Sequence, residues 1–200
     1  MAALTQSLAV ERHTDLAQHR VQFYQNEPFL VRCVAEHLAE SLRNGGSALI
    51  LATKDHRGRI LEALSGMRIS PDALIRRCIA LDAGEALPQF MLHDAPDPSR
   101  FRTLVEELLH AARSSSESAL TPIAAFGEMV AVLWSKGKGE AAVQVEQLWR
   151  DFTRDQSLSL LCAYPMAHFS RRKTAASSHK SVMRTRRCFP QKSSLRSMTI

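Results

Sequence analysis

Apolar and polar positions along the chain alternate between two patterns. Short, nearly continuous apolar runs are separated by longer stretches with apolar residues every three or four positions. His19–Tyr24 (HRVQFY), Ser47–Thr53 (SALILAT), Cys78–Leu81 (CIAL), Pro122–Phe126 and Ser157–Tyr164 (SLSLLCAY) are the short runs. Their length and apolar density predict strands buried on both faces, as a parallel sheet requires. Phe29–Leu42 carries Phe29, Leu30, Val34, Leu38 and Leu42 at helical spacing, and Asn44-Gly45-Gly46 stops it. Asn and Gly accept the left-handed geometry past a helix end.

Further helices are predicted from Thr53 or Asp55 to about Leu64, and from Ser70-Pro71-Asp72, where Pro takes the first helical position. A short helix is read over Gly84–His93, and a long one from Asp97 or Ser99 through Arg113. The last two are Glu128–Trp134, ended by Lys136-Gly-Lys-Gly, and Glu140–Asp155. Strands alternating with helices imply right-handed crossovers. The expected fold is α/β, three-layered, with a mainly parallel five-stranded sheet and helices on both faces.

That order makes the first connection informative. A strand, a tight loop and a helix N-terminus form the frame that cradles phosphates in nucleotide-binding domains. The loop here is Gln25-Asn26-Glu27-Pro28. It has no Gly to close backbone N–H groups on a phosphate, no Lys and no Ser or Thr. Glu27 would repel the ligand. The frame without its phosphate loop favours sensing over catalysis.

Length and composition suit one soluble domain: 200 residues, 45% hydrophobic and 23% charged. No apolar run reaches the roughly 20 residues that span a bilayer. Residues 1–18 read as a flexible leader without the features of a secretory signal. The net charge of +6 is unevenly placed. Nine of the 26 Lys and Arg lie in residues 171–200 with no acid, so residues 1–170 hold 17 bases against 20 acids. Residues 170–200 are therefore expected to be a basic, disordered tail. Its contact with nucleic acid would be weak and salt-dependent, because no aromatics are interleaved for stacking.

Cys33, Cys78, Cys162 and Cys188 are scattered, which reads as free thiols in a reducing cytosol. The eight histidines show neither H-x-x-x-H nor H-E-x-x-H, so no metal site and no cofactor are expected from spacing. His37 and His110 read as helix-surface residues. Glu146 and Arg150, at i and i+4, read as a surface ion pair worth about 0.3 kcal/mol.

In open parallel sheets, ligands bind beyond the carboxyl ends of the strands. That rule selects Tyr24, Asn26, Glu27, His56, Asp82, Phe126, Glu128 and Tyr164 as candidate ligand-binding residues, with none catalytic. The acids Glu27, Asp82 and Glu128 would either converge on one crevice or cap the helices that follow them. Phe126-Gly127-Glu128-Met129 is the sharpest local signal, with Gly127 letting the backbone turn closely. If the Glu128 carboxylate stands unpaired in a cleft, Glu128→Gln would leave stability near wild type while weakening a ligand response.

Several ordered motifs together resemble one family. They are H-x-V-Q-F-Y (His19–Tyr24), the Gly45–Arg57 segment, A-L-D-A-x-E-x-L (Ala80–Leu87) and D-P-x-R-F (Asp97–Phe101). They continue with A-F-G-E-M-V-x-L-W (Ala125–Trp134), Leu148-Trp149 and S-L-L-C-A-Y-P-M (Ser159–Met166). Together they resemble the MEDS domain, the methanogen/methylotroph DcmR-type sensory domain, over about residues 19–169. The resemblance implies a RecA/KaiC-like sensory module of prokaryotic regulators that responds to small organic molecules and works with a histidine kinase or a DNA-binding regulator. It supplies no ligand and no catalytic residues. Family members typically run on past the last strand, so this chain reads as a stand-alone sensor, or a truncated or frame-shifted one.

The leading expectation is a cytoplasmic, non-enzymatic sensory domain with a small organic ligand and a signalling partner. Its rivals are a nucleotide-dependent enzyme with an atypical phosphate site and a ligand-independent interaction module.

Overall fold

The computed structural model describes residues 18–166 except 119, 120, 122 and 155. The expected leader, the basic tail, and the strand and helix ends assigned to Pro122 and Asp155 lie outside the described residues. The elements are β1 (Gln18–Tyr24), α1 (Glu27–Arg43), β2 (Ala48–Ala52), α2 (Lys54–Ser65), α3 (Pro71–Arg77), β3 (Cys78–Asp82) and α4 (Ala83–Phe90). They continue with β4 (Met91–Leu92), β5 (Ala95–Pro96), α5 (Pro98–Ser115), β6 (Ile123–Gly127), α6 (Met129–Ser135), α7 (Gly139–Thr153) and β7 (Leu158–Pro165).

Five strands form one parallel sheet in the order β1-β7-β6-β2-β3. The fold is α/β and three-layered. Every residue of β2 and β6 is buried, because side chains alternate into two cores. Leu49, Leu51, Ile123 and Ala125 face the core beneath α4, α5, α6 and α7. Ile50, Ala52, Ala124 and Phe126 face the one beneath α1, α2 and α3. This two-sided burial explains why the central strands read as unbroken apolar runs.

The helix ends follow local chemistry. Asn26, Ser70, Asp82 and Asp97 each occupy an N-cap and accept from a backbone N–H in the first turn. Gly45 takes φ +77° just after α1, the geometry expected of its helix stop. The helix expected to reach His93 ends at Phe90 instead. His93 adopts φ +57° and turns the chain into the short β4–β5 hairpin, which the Asp97 N–H closes by donating to Phe90 O at 2.8 Å.

His37 departs from its expected surface position. It is 9% exposed, held between α1 and the sheet. Its Nε2–H is shared by Ala125 O at 3.2 Å and Ser159 O at 3.1 Å, while Nδ1 accepts from Arg20. The helical pattern counted His37 as polar, but its two carbonyl partners come from strands 88 and 122 residues away.

Candidate functional site

The chain leaves β2 toward β3 on one side and β6 toward β7 on the other. α2 follows β2 onto one face of the sheet, and α6 follows β6 onto the opposite face. The carboxyl ends of β2 and β6, neighbours in the sheet, therefore flank a topological switch point. There the two connections diverge, which is where open parallel sheets bind their ligands.

Glu128 stands at this point, just after β6, and is 6% exposed. Its own N–H donates to Leu51 O at 2.8 Å. Its carboxylate reaches across to the end of β2. Thr53 donates twice to Oε2, from the backbone N–H at 2.9 Å and from the hydroxyl at 3.1 Å. His56 Nδ1–H donates to Oε1 at 2.6 Å. Glu128 therefore neither caps its own helix nor stands unpaired. It is a latch between two strand ends, held by three donors, which removes the premise that its charge is relieved on neutralisation. Thr53 takes the N-cap position of α2 but makes no side-chain cap, because its hydroxyl is committed to Glu128.

The latch perturbs its neighbours in a consistent direction. His56 is raised above its ordinary value, chiefly by the hydrogen bond to Glu128, against the opposing effect of burial. Tyr24, at the end of β1, meets the His56 ring edge-on with centroids 6.5 Å apart. Burial, then the charges of Glu128 and Glu27, push its phenol up to about 12. Tyr24 thus holds its proton at neutral pH and remains a hydrogen-bond donor.

The remaining candidates are placed as follows. Asn26 caps α1 through Phe29 N–H at 2.9 Å. Glu27 lies on the exposed rim, where Arg59 bridges it at 2.8 Å and Asp55 at 3.4 Å. Glu27, Asp55 and His56 are close enough to surround a cation, but the Arg59 guanidinium already pairs with both rim acids. Asp82 caps α4 through Gly84 N–H at 2.8 Å, with Arg57 at 3.8 Å. Phe126 is fully buried in the α1–α2 core. Tyr164 faces the other core, on the far side of the sheet. A Cβ at Gly127 would meet Cys162 Sγ at 3.6 Å, an ordinary contact, so the turn does not depend on glycine there.

The structure therefore gathers Tyr24, His56 and Glu128, with Glu27 on the rim. It adds Thr53, which the sequence offers as a strand end or helix cap but not among the candidate ligand-binding residues. A shallow depression of about 320 Å³ between α4 and α5 involves none of these groups, and most of its lining side chains are exposed.

The family model for the methanogen/methylotroph DcmR sensory domain, MEDS, matches residues 18–180. The chain belongs to the MEDS family. No curated protein and no solved structure matches it. A MEDS domain is a sensory domain, so the chain carries a sensory role. The match spans every described element, so the Glu128 latch lies inside the sensory unit.

Proposed function

We propose that this MEDS domain is a non-enzymatic, cytoplasmic sensor of a small, hydrogen-bonding organic molecule. It uses a RecA/KaiC-like frame and relays occupancy to a signalling partner such as a histidine kinase or a transcription regulator. The observation that carries this reading is the closed Glu128–Thr53–His56 latch at the switch point, beside a β1–α1 loop with no phosphate-binding chemistry.

A ligand with one donor can replace Thr53 or His56 on the Glu128 carboxylate, and a ligand with one acceptor can take the Tyr24 hydroxyl. The exchange on Glu128 removes a tie between the end of β6 and the β2–α2 junction. Binding energy at the switch point becomes a change in how α2 and α6 sit, which a partner protein can read. No described helix is long and apolar enough to cross a membrane.

A thermal-shift screen of the full chain tests the reading. The panel comprises small alcohols, amines and carboxylates beside Mg-ATP. A ligand that binds only the folded state at 100 times its Kd adds about 2.7 kcal/mol, a readable rise in Tm. The expected result is a dose-dependent rise with an organic compound and none with Mg-ATP. A flat organic panel together with Mg-ATP binding tighter than about 10 µM, about −7 kcal/mol, overturns it.

A further inference from the structure

On the other face of the sheet, three chemically reactive side chains meet in an otherwise apolar core. His19 comes from β1, Cys162 from β7 and Glu146 from α7. His19 Nε2 lies 3.1 Å from Glu146 Oε1 and 3.3 Å from Cys162 Sγ. The three atoms all fall within 4.8 Å of one another. Cys162 is 1% exposed, and the His19 and Glu146 side chains are 11% and 12% exposed. Tyr164 donates its hydroxyl to the second carboxylate oxygen of Glu146. Glu146 is thus not the surface partner of Arg150 that its spacing suggests; Arg150 pairs with Asp151 at 3.9 Å.

The protein's own groups do not use this arrangement fully. Glu146 Oε1 is buried and accepts no hydrogen bond in good geometry. His19 Nε2 offers one hydrogen or one lone pair, yet faces both an oxygen and a sulfur. A buried oxygen left in that state costs free energy unless something pairs with it.

We propose that His19, Glu146 and Cys162 bind a divalent transition metal of borderline softness, of the Zn²⁺ type. Tetrahedral ligands on metal bonds of about 2.0–2.3 Å stand roughly 3.3–3.6 Å apart, so the observed 3.1 and 3.3 Å separations need to open by only a few tenths of an ångström. A set of imidazole, carboxylate and thiolate suits zinc or cobalt and excludes magnesium and calcium, which demand oxygen. On binding, the Cys162 S–H proton is released to solvent and the thiolate is ligated. The Tyr164 hydroxyl orients the carboxylate from outside the ligand set. Three protein ligands leave the fourth position to water or to a small donor molecule, the pattern of open rather than purely structural sites. The metal would also tie edge strand β1 to β7 and α7.

Cobalt titration of the metal-stripped full chain tests this. One equivalent of Co²⁺ is expected to give the near-ultraviolet thiolate-to-cobalt charge-transfer band with tetrahedral visible bands, and Zn²⁺ is expected to displace them. His19→Ala and Cys162→Ser are expected to lose the charge-transfer band or bind Co²⁺ at least tenfold more weakly. Tyr164→Phe is expected to keep the band with about tenfold weaker binding. If Cys162→Ser does not fold, a chain with Cys33, Cys78 and Cys188 replaced by Ala is expected to keep the full band. Absence of any band in the native chain overturns the proposal. So does a band that persists unchanged in Cys162→Ser, or that disappears from the triple variant. The site is on the opposite face from the Glu128 latch, so either proposal can fail alone.

Discussion

Two buried histidines, His37 and His56, contribute to stability with opposite pH dependence. His37 is lowered to about 4 by burial first and the adjacent Arg20 charge second, so it stays neutral when folded. Between pH 6.5 and 4 the unfolded chain binds a proton there that the folded chain refuses. Stability is complete above the unfolded value and falls as pH drops toward the folded one. By pH 5 the loss is expected to reach about 2 kcal/mol. Urea unfolding at pH 7 and pH 5 checks this, with His37→Gln expected to flatten the difference. His56 is raised, so its contribution is complete below the unfolded value near 6.5 and fades as pH rises through the folded one. Glu128→Gln removes the charge that raises it and leaves Thr53 and His56 imperfectly paired. The variant is expected to lose about 2 kcal/mol, as for hydrogen bonds to a charged group. The gap from wild type should be larger at pH 6 than at pH 8.5. An equal gap at both pH values would show that His56 does not draw its stability from Glu128.

Among the elements, α5 and α7 hold the core on the face away from the latch. Phe101 of α5 meets Phe90, Trp149 and Phe152 edge-on, with centroids 5.4, 5.0 and 6.3 Å apart. Edge-to-face rings gain quadrupole attraction beyond their buried area. Phe101 is 2% exposed, and Phe101→Ala leaves a cavity that helices anchored at both ends cannot collapse. The expected loss is about 4 kcal/mol, measured by chemical denaturation. Asp97→Ala should cost only about 1 kcal/mol, because it removes one N-cap bond, to Arg100 N–H at 2.8 Å, at an exposed helix end.

The whole molecule is one sheet carrying a core on each face, so its strands should open in a graded order. β7, β6 and β2 have a neighbour on both sides, while β1 and β3 are edges. The Glu128 latch adds cross-strand bonds at the β2–β6 junction. Hydrogen exchange followed by mass spectrometry is expected to show Ala48–Ala52 and Ile123–Gly127 exchanging only through global unfolding, with Cys78–Asp82 exchanging earlier. Comparable protection of β3 would mean that the sheet opens as a single unit.

What the sequence determined by itself was the local and periodic part. Unbroken apolar runs marked strands buried on two faces, and Ser70 and Asp97 marked helix starts, because these signals depend on neighbouring residues. The carboxyl-edge rule also drew Tyr24, His56 and Glu128 into one set, since strand ends converge in any parallel sheet. Tertiary structure alone decided the partners. His37 entered the interior, where its ring meets two strand carbonyls. The Thr53 hydroxyl left its cap for a carboxylate 75 residues away. Glu146 turned from a helix-surface residue into the neighbour of His19, whose Cys162 contact spans 143 residues. Motif spacing registers ligands that share one helix or loop, so groups delivered by three separate elements stay invisible until strand order and register bring them to one face.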